Sequence, residues 1–335
     1  MKRIISLLLA LALTLSLTAC TAPAEKVDDG KIQIVTTLFP YYDFARAIAQ
    51  DRADVTLLLS PGREAHSFEP TPLDAVTISE ADVFLYNGGE GEYWVESMLD
   101  AAGEHIAVAS RMMDYVDALN EEYVEGMQGA DGHDHDHEHG SHDDHDHDHE
   151  EDEHDSDEIE YDEHIWTSPK NAVVLCRAVC DAICRADAAN ADFYRANCED
   201  YCAQLEDLDA RFAALCESAP RRLLIFADRF PMLYFCREYG LDYRAAFHGC
   251  SGDTEPSLAT IKFLIDKVED ENIPVVYTID FGTKKVAAVV SECTGAAIET
   301  LYSMQTVSRA DFDAGETYLT LMERNFEALR KGLNA

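Results

Sequence analysis

The chain has 335 residues, 47% of them hydrophobic, and a formal charge of −39 at pH 7. That length exceeds the comfortable size of one core, so two domains are expected, and the apolar fraction is ample for globular packing. The charge argues against nucleic acid or an anionic membrane surface as partner, because either would repel it.

The first twenty residues read as an address. Lys2 and Arg3 precede the apolar run Ile4 to Leu17, which is too short to span a bilayer comfortably. Leu17-Thr18-Ala19-Cys20 then resembles a bacterial lipobox, in which residues 1–19 are removed and Cys20 is lipidated; a plain secretory signal cut near Ala19 is the other reading. Both place the mature chain outside the cytoplasm. Residues 20–31 are a polar tether carrying Pro23, and no later segment is suited to crossing a membrane.

After the tether, strand and helix patterns alternate. Ile32–Thr37, Val55–Ser60, Val83–Asn87 and Ile106–Ala109 read as buried strands, with helices at Tyr42–Ala49, Leu73–Glu80 and Trp94–Ala101 between them. The rhythm returns at Leu223–Ala227, Tyr243–Phe247, Val275–Ile279 and Ile298–Leu301, with helices near Met232–Tyr239, Leu258–Glu271, Lys285–Cys293 and Tyr318–Lys331. Such alternation implies βαβ units and a mostly parallel sheet, so the expected fold is α/β with two lobes of four strands each. Pro169 to Ser218 is helical throughout. Within it Asn190 to Glu217 lacks Pro and Gly, a helix of about 42 Å at 1.5 Å per residue. The expected organisation is an N-terminal lobe over 32–188 containing a loop over 128–160, a linking helix over 189–218, and a C-terminal lobe over 219–335.

The loop holds "GHDHDHEHGSHDDHDHDHEEDEH", from Gly132 to His154. Its histidines are His133, His135, His137, His139, His142, His145, His147, His149 and His154. The stretch is too polar to fold by burial, and is expected to be disordered without metal. Asp131 to Glu163 carries 18 acids and no Lys or Arg, which leaves −21 on the rest of the chain. Unperturbed imidazoles are largely neutral above pH 7 and free to bind cations. Weak sites tethered near a tight one raise its local metal concentration; a solvated spacer or a passive sponge is the plainer reading.

Outside the tract the histidines are His66, His105, His164 and His248. His105, at a strand start, reads as surface. His66 sits in the proline-framed loop "SPGREAHSFEPTP" after the second strand, where parallel sheets place ligands. His164 lies in "YDEHIWTSPKNA", between the tract and the helical section. Together the two point to a divalent metal.

The blocks "TTLFPYYDFARAIA", "PGREAHSFEPTP", "VFLYNGGEGEYWVE", "DEHIWTSPKNA" and "SMQTVS" resemble, in order, those of the zinc/manganese substrate-binding lipoproteins of bacterial ABC importers, the ZnuA and TroA type. The resemblance implies two α/β lobes joined by a rigid backbone helix, one metal ion in the cleft between them, and a membrane permease as partner. It implies a monomer held to the outer face of the cell membrane by its lipid alone. It also implies four ligands from four loops. His66 and His164 carry over directly. For the third, Asp228 in "LLIFADRFPMLYFCREYGL" stands near the ligand point, although Arg229 offers to make it a salt-bridge partner instead, and His248 in "AAFHGCSGD" is the substitute. The fourth ligand in the family is an acid at a late strand end. "ETLYSMQTVS" has none, so Asp280 in "VVYTIDFGTKK" is the candidate, with a helix N-cap before Thr283 to Val290 as its other reading.

Two His with two carboxylates suit Zn²⁺ and are tolerable to Mn²⁺, and four protein ligands leave no open position for activated water. The imidazole-rich tract favours Zn²⁺. A secreted zinc hydrolase, with Glu69 or Glu163 as base, is a competing class, but His137-Glu138 has Ser141 where HExxH needs its second His; Glu69 and Trp166 read instead as loop anchors. A metal-sequestering surface protein without an importer is the third class. Nine cysteines follow Cys20, with Cys176, Cys180 and Cys184 spaced by four and Cys198 and Cys202 likewise. They lack CxxC spacing and read mainly as small apolar residues packed between helices, with pairing between the helical sections left open.

Overall fold

The computed structural model describes residues 30–65, 67–103, 106–128, 160–251 and 255–334. The expectations for the signal segment, Cys20 and most of the tether, for His66 and His105, and for the histidine tract fall outside the described residues.

The chain from Ile32 onward runs β1 (Ile32–Thr36), α1 (Phe39–Ala49), β2 (Ala53–Leu57), α2 (Pro72–Ser79), β3 (Val83–Tyr86), α3 (Trp94–Ala102) and β4 (Val108–Arg111). Two helices follow, α4 (Pro169–Ala186) and α5 (Ala191–Ser218). The second set is β5 (Leu223–Phe230), α6 (Leu233–Tyr239), β6 (Asp242–His248), α7 (Leu258–Asp270), β7 (Val275–Ile279), α8 (Lys285–Thr294), β8 (Ala297–Leu301), α9 (Arg309–Ala314) and α10 (Tyr318–Leu333).

Among the described residues two four-stranded sheets form, ordered β2-β1-β3-β4 and β6-β5-β7-β8, and the strand pairings within them are parallel. In each, the strand order reverses between the two central strands. Ligand crevices of open parallel sheets lie there, outside the carboxyl ends of the strands. Thr37 and Asn87 continue from β1 and β3, and Asp280 continues from β7.

α5 is the predicted long helix, 28 residues without Pro or Gly. Tyr194, Cys198, Tyr201, Cys202, Leu205, Leu208, Phe212, Leu215 and Cys216 give it a buried stripe at three- and four-residue spacing. Phe212 meets Phe235 of α6 edge-on and Phe326 of α10, while Tyr201 packs on Phe44 of α1. One apolar cluster therefore runs from the first sheet through α4 and α5 into the second.

Polar ties cross the same junction. The Asp43 carboxylate accepts the Tyr201 hydroxyl at 2.6 Å and the Tyr318 amide at 2.9 Å. Trp166 donates its indole N–H to the Ser303 carbonyl at 2.7 Å, and the Tyr318 hydroxyl donates to the Trp166 carbonyl at 2.7 Å. These residues are buried, so each tie is made where water cannot replace it.

Candidate metal centre

His164 stands at this junction, 1% exposed, between the isolated antiparallel bridge of Tyr161 with Asn120 and the start of α4. Two antiparallel contacts hold the chain before it: Asp162 N–H donates to Leu119 O and Glu121 N–H to Glu160 O, both at 2.9 Å. The Tyr234 hydroxyl clamps the pair, donating to Asp162 O and accepting from Leu119 N–H. After it, Ser168 caps α4 by accepting from Asn171 N–H, with Pro169 at the first helical position.

The Asp162 carboxylate sits 3.1 Å from Nδ1 of His164 and accepts the His164 backbone N–H at 2.8 Å. A Nδ1–H donated to Asp162 makes Nε2 the deprotonated nitrogen, the arrangement that orients histidine ligands in metal sites. Burial disfavours the charged ring, but the Asp162 and Glu163 charges outweigh it and the His164 pKa rises. The second sheet comes directly against the imidazole. A Cβ on Gly249 would lie 3.1 Å from the His164 ring and 2.9 Å from Phe230 O, so a side chain there has no room. His164 and Gly249 line a cavity of about 20 Å³ with Glu64, Arg229, Ile279, Phe281 and Ser303. That is room for a water-sized guest.

Asp228 lies in β5, where Ala227 and Asp228 together stand opposite the single residue Ala246 of β6, a bulge. Its Oδ1 accepts Arg229 N–H at 2.9 Å, and its Oδ2 is buried with no hydrogen-bond partner among the described residues. That oxygen abuts the turn after β7: a Cβ on Gly282 would be 1.7 Å from it. Burial raises the Asp228 pKa. The Arg229 guanidinium goes to Glu64, at 3.0 Å, and not to the neighbouring aspartate side chain. Asp280 follows β7, accepts Ser303 N–H at 3.2 Å, and has its carboxyl pushed up to about 6 by burial. It is not the cap of α8, which begins at Lys285 after Lys284 in the left-handed region.

His248, at the end of β6, turns its Nδ1 to Glu121, and Cys250 N–H donates to the other Glu121 oxygen at 3.1 Å. Glu121 and Cys250 share a pocket of about 210 Å³ with Glu90, Glu160, Tyr161 and Glu163. It is an acidic mouth at the root of the tract. Glu163 accepts Gly91 N–H at 2.8 Å, which gives it a structural task.

The structure thus puts His164 beside the β5–β6 ends and Asp228 beside the Asp280 turn. His164, Asp228 and Asp280 do not by themselves come within 4.8 Å as a group of three ligand atoms. The roles of Asp162, Arg229 and the Glu121–His248 pair were not drawn from the sequence. Asp162, two residues before His164, was the one visible signal.

Residues 34–332 match the family model for the periplasmic zinc-uptake complex component A, ZnuA. The chain belongs to the ZnuA family. It is 30% identical to the high-affinity zinc uptake system protein ZnuA of Bacillus subtilis over 306 residues, 90% of this chain and 88% of that protein. It is also 30% identical to the zinc-binding lipoprotein AdcA of Streptococcus pneumoniae, across 99% of this chain but only 61% of AdcA. The structure superposes on the metal-dependent lipoprotein YcdH of Bacillus subtilis with a TM-score of 0.72 and 28% identity, covering 91% of this chain and all of YcdH. The Zn(II)-bound ZnuA-like domain of pneumococcal AdcA gives 0.71 and 25%, covering 91% of this chain and all of that domain. ZnuA-family members are zinc-binding, extracytoplasmic components of zinc uptake systems. No helix among the described residues is long and apolar enough to cross a membrane.

Proposed function

We propose that this chain captures Zn²⁺ outside the cytoplasm and hands it to the permease of an ABC importer. The observation that carries this reading is the wholly buried His164, its Nδ1 held by Asp162, at the junction of two parallel sheets in a ZnuA-family chain. Zinc is the cargo. His66, His164, Asp228 and Asp280 form its proposed ligand set, with His248 as the alternate third ligand. The donors fit the ion: imidazole nitrogen and carboxylate oxygen are its ordinary ligands, and Asp228 Oδ2 is a buried oxygen without a hydrogen-bond partner among the described residues. Mn²⁺ accepts the same oxygens and is the competing cargo.

A shell closed by four side chains carries no activated water, so the reading assigns no catalysis. Cys20 is the proposed lipid attachment, the protein acts as a monomer, and acidic lobe faces engage the permease. The tract gathers ions close to the cleft, since His154 lies ten residues before His164. Because apolar and polar ties span the junction, delivery proceeds through small lobe tilts and not wide closure.

Zinc titration of four forms tests this. The intact chain binds one ion tightly and several weakly; deletion of 131–158 removes the weak sites and keeps the tight one. His164→Ala loses the tight site while the weak ones remain. Tight binding unaltered by both His66→Ala and His164→Ala overturns the proposal.

A further inference from the structure

Cys176, Cys180, Cys198 and Cys202 occupy the inner faces of α4 and α5, each 3% exposed or less. The sulfurs of Cys176, Cys198 and Cys202 all lie within 4.8 Å of one another, and Cys180 adjoins Cys198. The helices approach closely: the Cys198 thiol reaches the Cys176 carbonyl at 3.8 Å and the Cys202 thiol the Val173 carbonyl at 3.9 Å. The turn joining them is Ala188–Asn190. Cys176 and Cys202 each stand thirteen residues from Ala189, and Cys180 and Cys198 each stand nine. In an antiparallel helical hairpin, equal separation from the turn brings residues to the same level, and in this shared interface Cys198 also touches Cys202 at 3.9 Å and Cys180 touches Cys184 at 4.0 Å.

We infer that these four thiols close as two disulfides, Cys176–Cys202 and Cys180–Cys198, that staple α4 to α5. Two facing pairs of thiols in an exported chain are what such cross-links require. A four-thiolate metal site is the rival use of the same atoms, and its surroundings oppose it. Two of the thiols face backbone carbonyl oxygens, which accept from them and would repel thiolate. The helix N–H groups are spent within the helices, and Arg177 holds its charge at the surface, its side chain 48% exposed. Buried negative charge would be offset only by Arg177, which is already tied to Glu199 and Glu206, whereas a disulfide is neutral and needs no partner.

Each closure removes two protons and two electrons from a pair of thiols and forms one S–S bond. The acceptor is the disulfide of an extracytoplasmic thiol–disulfide exchange protein, or oxidised glutathione in vitro, which leaves as two thiols through a mixed disulfide. α4 begins five residues after His164, so the staple braces the segment that carries the metal-centre histidine. The inference rests on the extracytoplasmic reading only for its oxidant. The test is therefore run in vitro as well.

Full-length chain from the cell envelope, and mature chain refolded in a glutathione couple, are alkylated without reductant and mapped by mass spectrometry. The mass of the envelope chain's N-terminus separately reports export. Peptides joining Cys176 to Cys202 and Cys180 to Cys198 are expected in both samples, and reduction should lower Tm by about 10 °C. Four alkylated thiols in the refolded chain overturn the inference, as do links within one helix, alkylation blocked only until a chelator removes zinc, or a Tm indifferent to reduction.

Discussion

The carboxylate of Asp162 and Nδ1 of His164 are 3.1 Å apart, both side chains wholly enclosed by the junction of the two sheets. Outer partners of this kind fix the tautomer and aim of a ligating histidine, and their loss weakens metal binding by about 10–100-fold. Asp162→Ala should therefore weaken the tight zinc site by that factor and leave the far-ultraviolet circular dichroism unaltered. Competition against a fluorescent chelator reads the change. An affinity equal to the parent's would detach His164 from the site.

Asp43 offers a second test, of the brace and not of the ion. One of its oxygens takes both the Tyr201 hydroxyl of α5 and the Tyr318 amide at the start of α10, and Asp43 is 3% exposed. Asp43→Ala strands two buried donors, each costing about 1–3 kcal/mol. Calorimetry should show Tm lowered by about 10 °C, whether or not zinc is present. A loss confined to the zinc-loaded form would mean that Asp43 serves the metal site instead.

Much of this architecture was legible because buried parallel strands and braced helices write strong periods. The long helix expected at Asn190–Glu217 forms at Ala191–Ser218. Errors follow from particular residues. The first helix starts at Phe39 and not Tyr42, since a proline is tolerated in the first turn. The strand expected at Val55–Ser60 ends at Leu57, and Leu58 and Leu59 are apolar because the chain beyond the strand turns into the core. The six-residue α9 was too short for a period, although Ser308 three residues before Asp311 marks its cap. At the site, His164 announced itself through its neighbours in sequence. The Arg229–Glu64 pair joins positions 165 residues apart, and only folding brings such charges together.

Glu92 supplies a pH dependence. Burial, with the charge of Glu163 adding to it and the Gly88 N–H opposing it, pushes its carboxyl from 4.5 up to about 7. Its Oε1 has no hydrogen-bond partner among the described residues. Between those two values the folded chain holds a proton that the unfolded chain has released, so stability falls as pH rises from 4.5 to 7 and then levels. The full loss is about 3 kcal/mol at 1.36 kcal/mol per unit. Glu92→Gln removes the titration. Denaturant unfolding should find the variant close to the parent at pH 5 and more stable at pH 8; a parallel pH profile for both proteins would refute the assignment.

Arg229 and Glu64 set the charge of the His164 cavity, which they both line. The guanidinium is 14% exposed and its partner 37%, with 3.0 Å between them. A divalent cation entering beside His164 meets a positive group whose field Glu64 offsets. Glu64→Gln leaves that charge uncompensated and should weaken zinc binding by about tenfold, chiefly at low ionic strength. Arg229→Met removes the repulsion and should strengthen binding. The double variant should lie close to the parent, because the two charges are lost together. Calorimetric titration at two salt concentrations checks all three, and a Glu64→Gln affinity equal to the parent's at low salt would place the ion beyond reach of this pair.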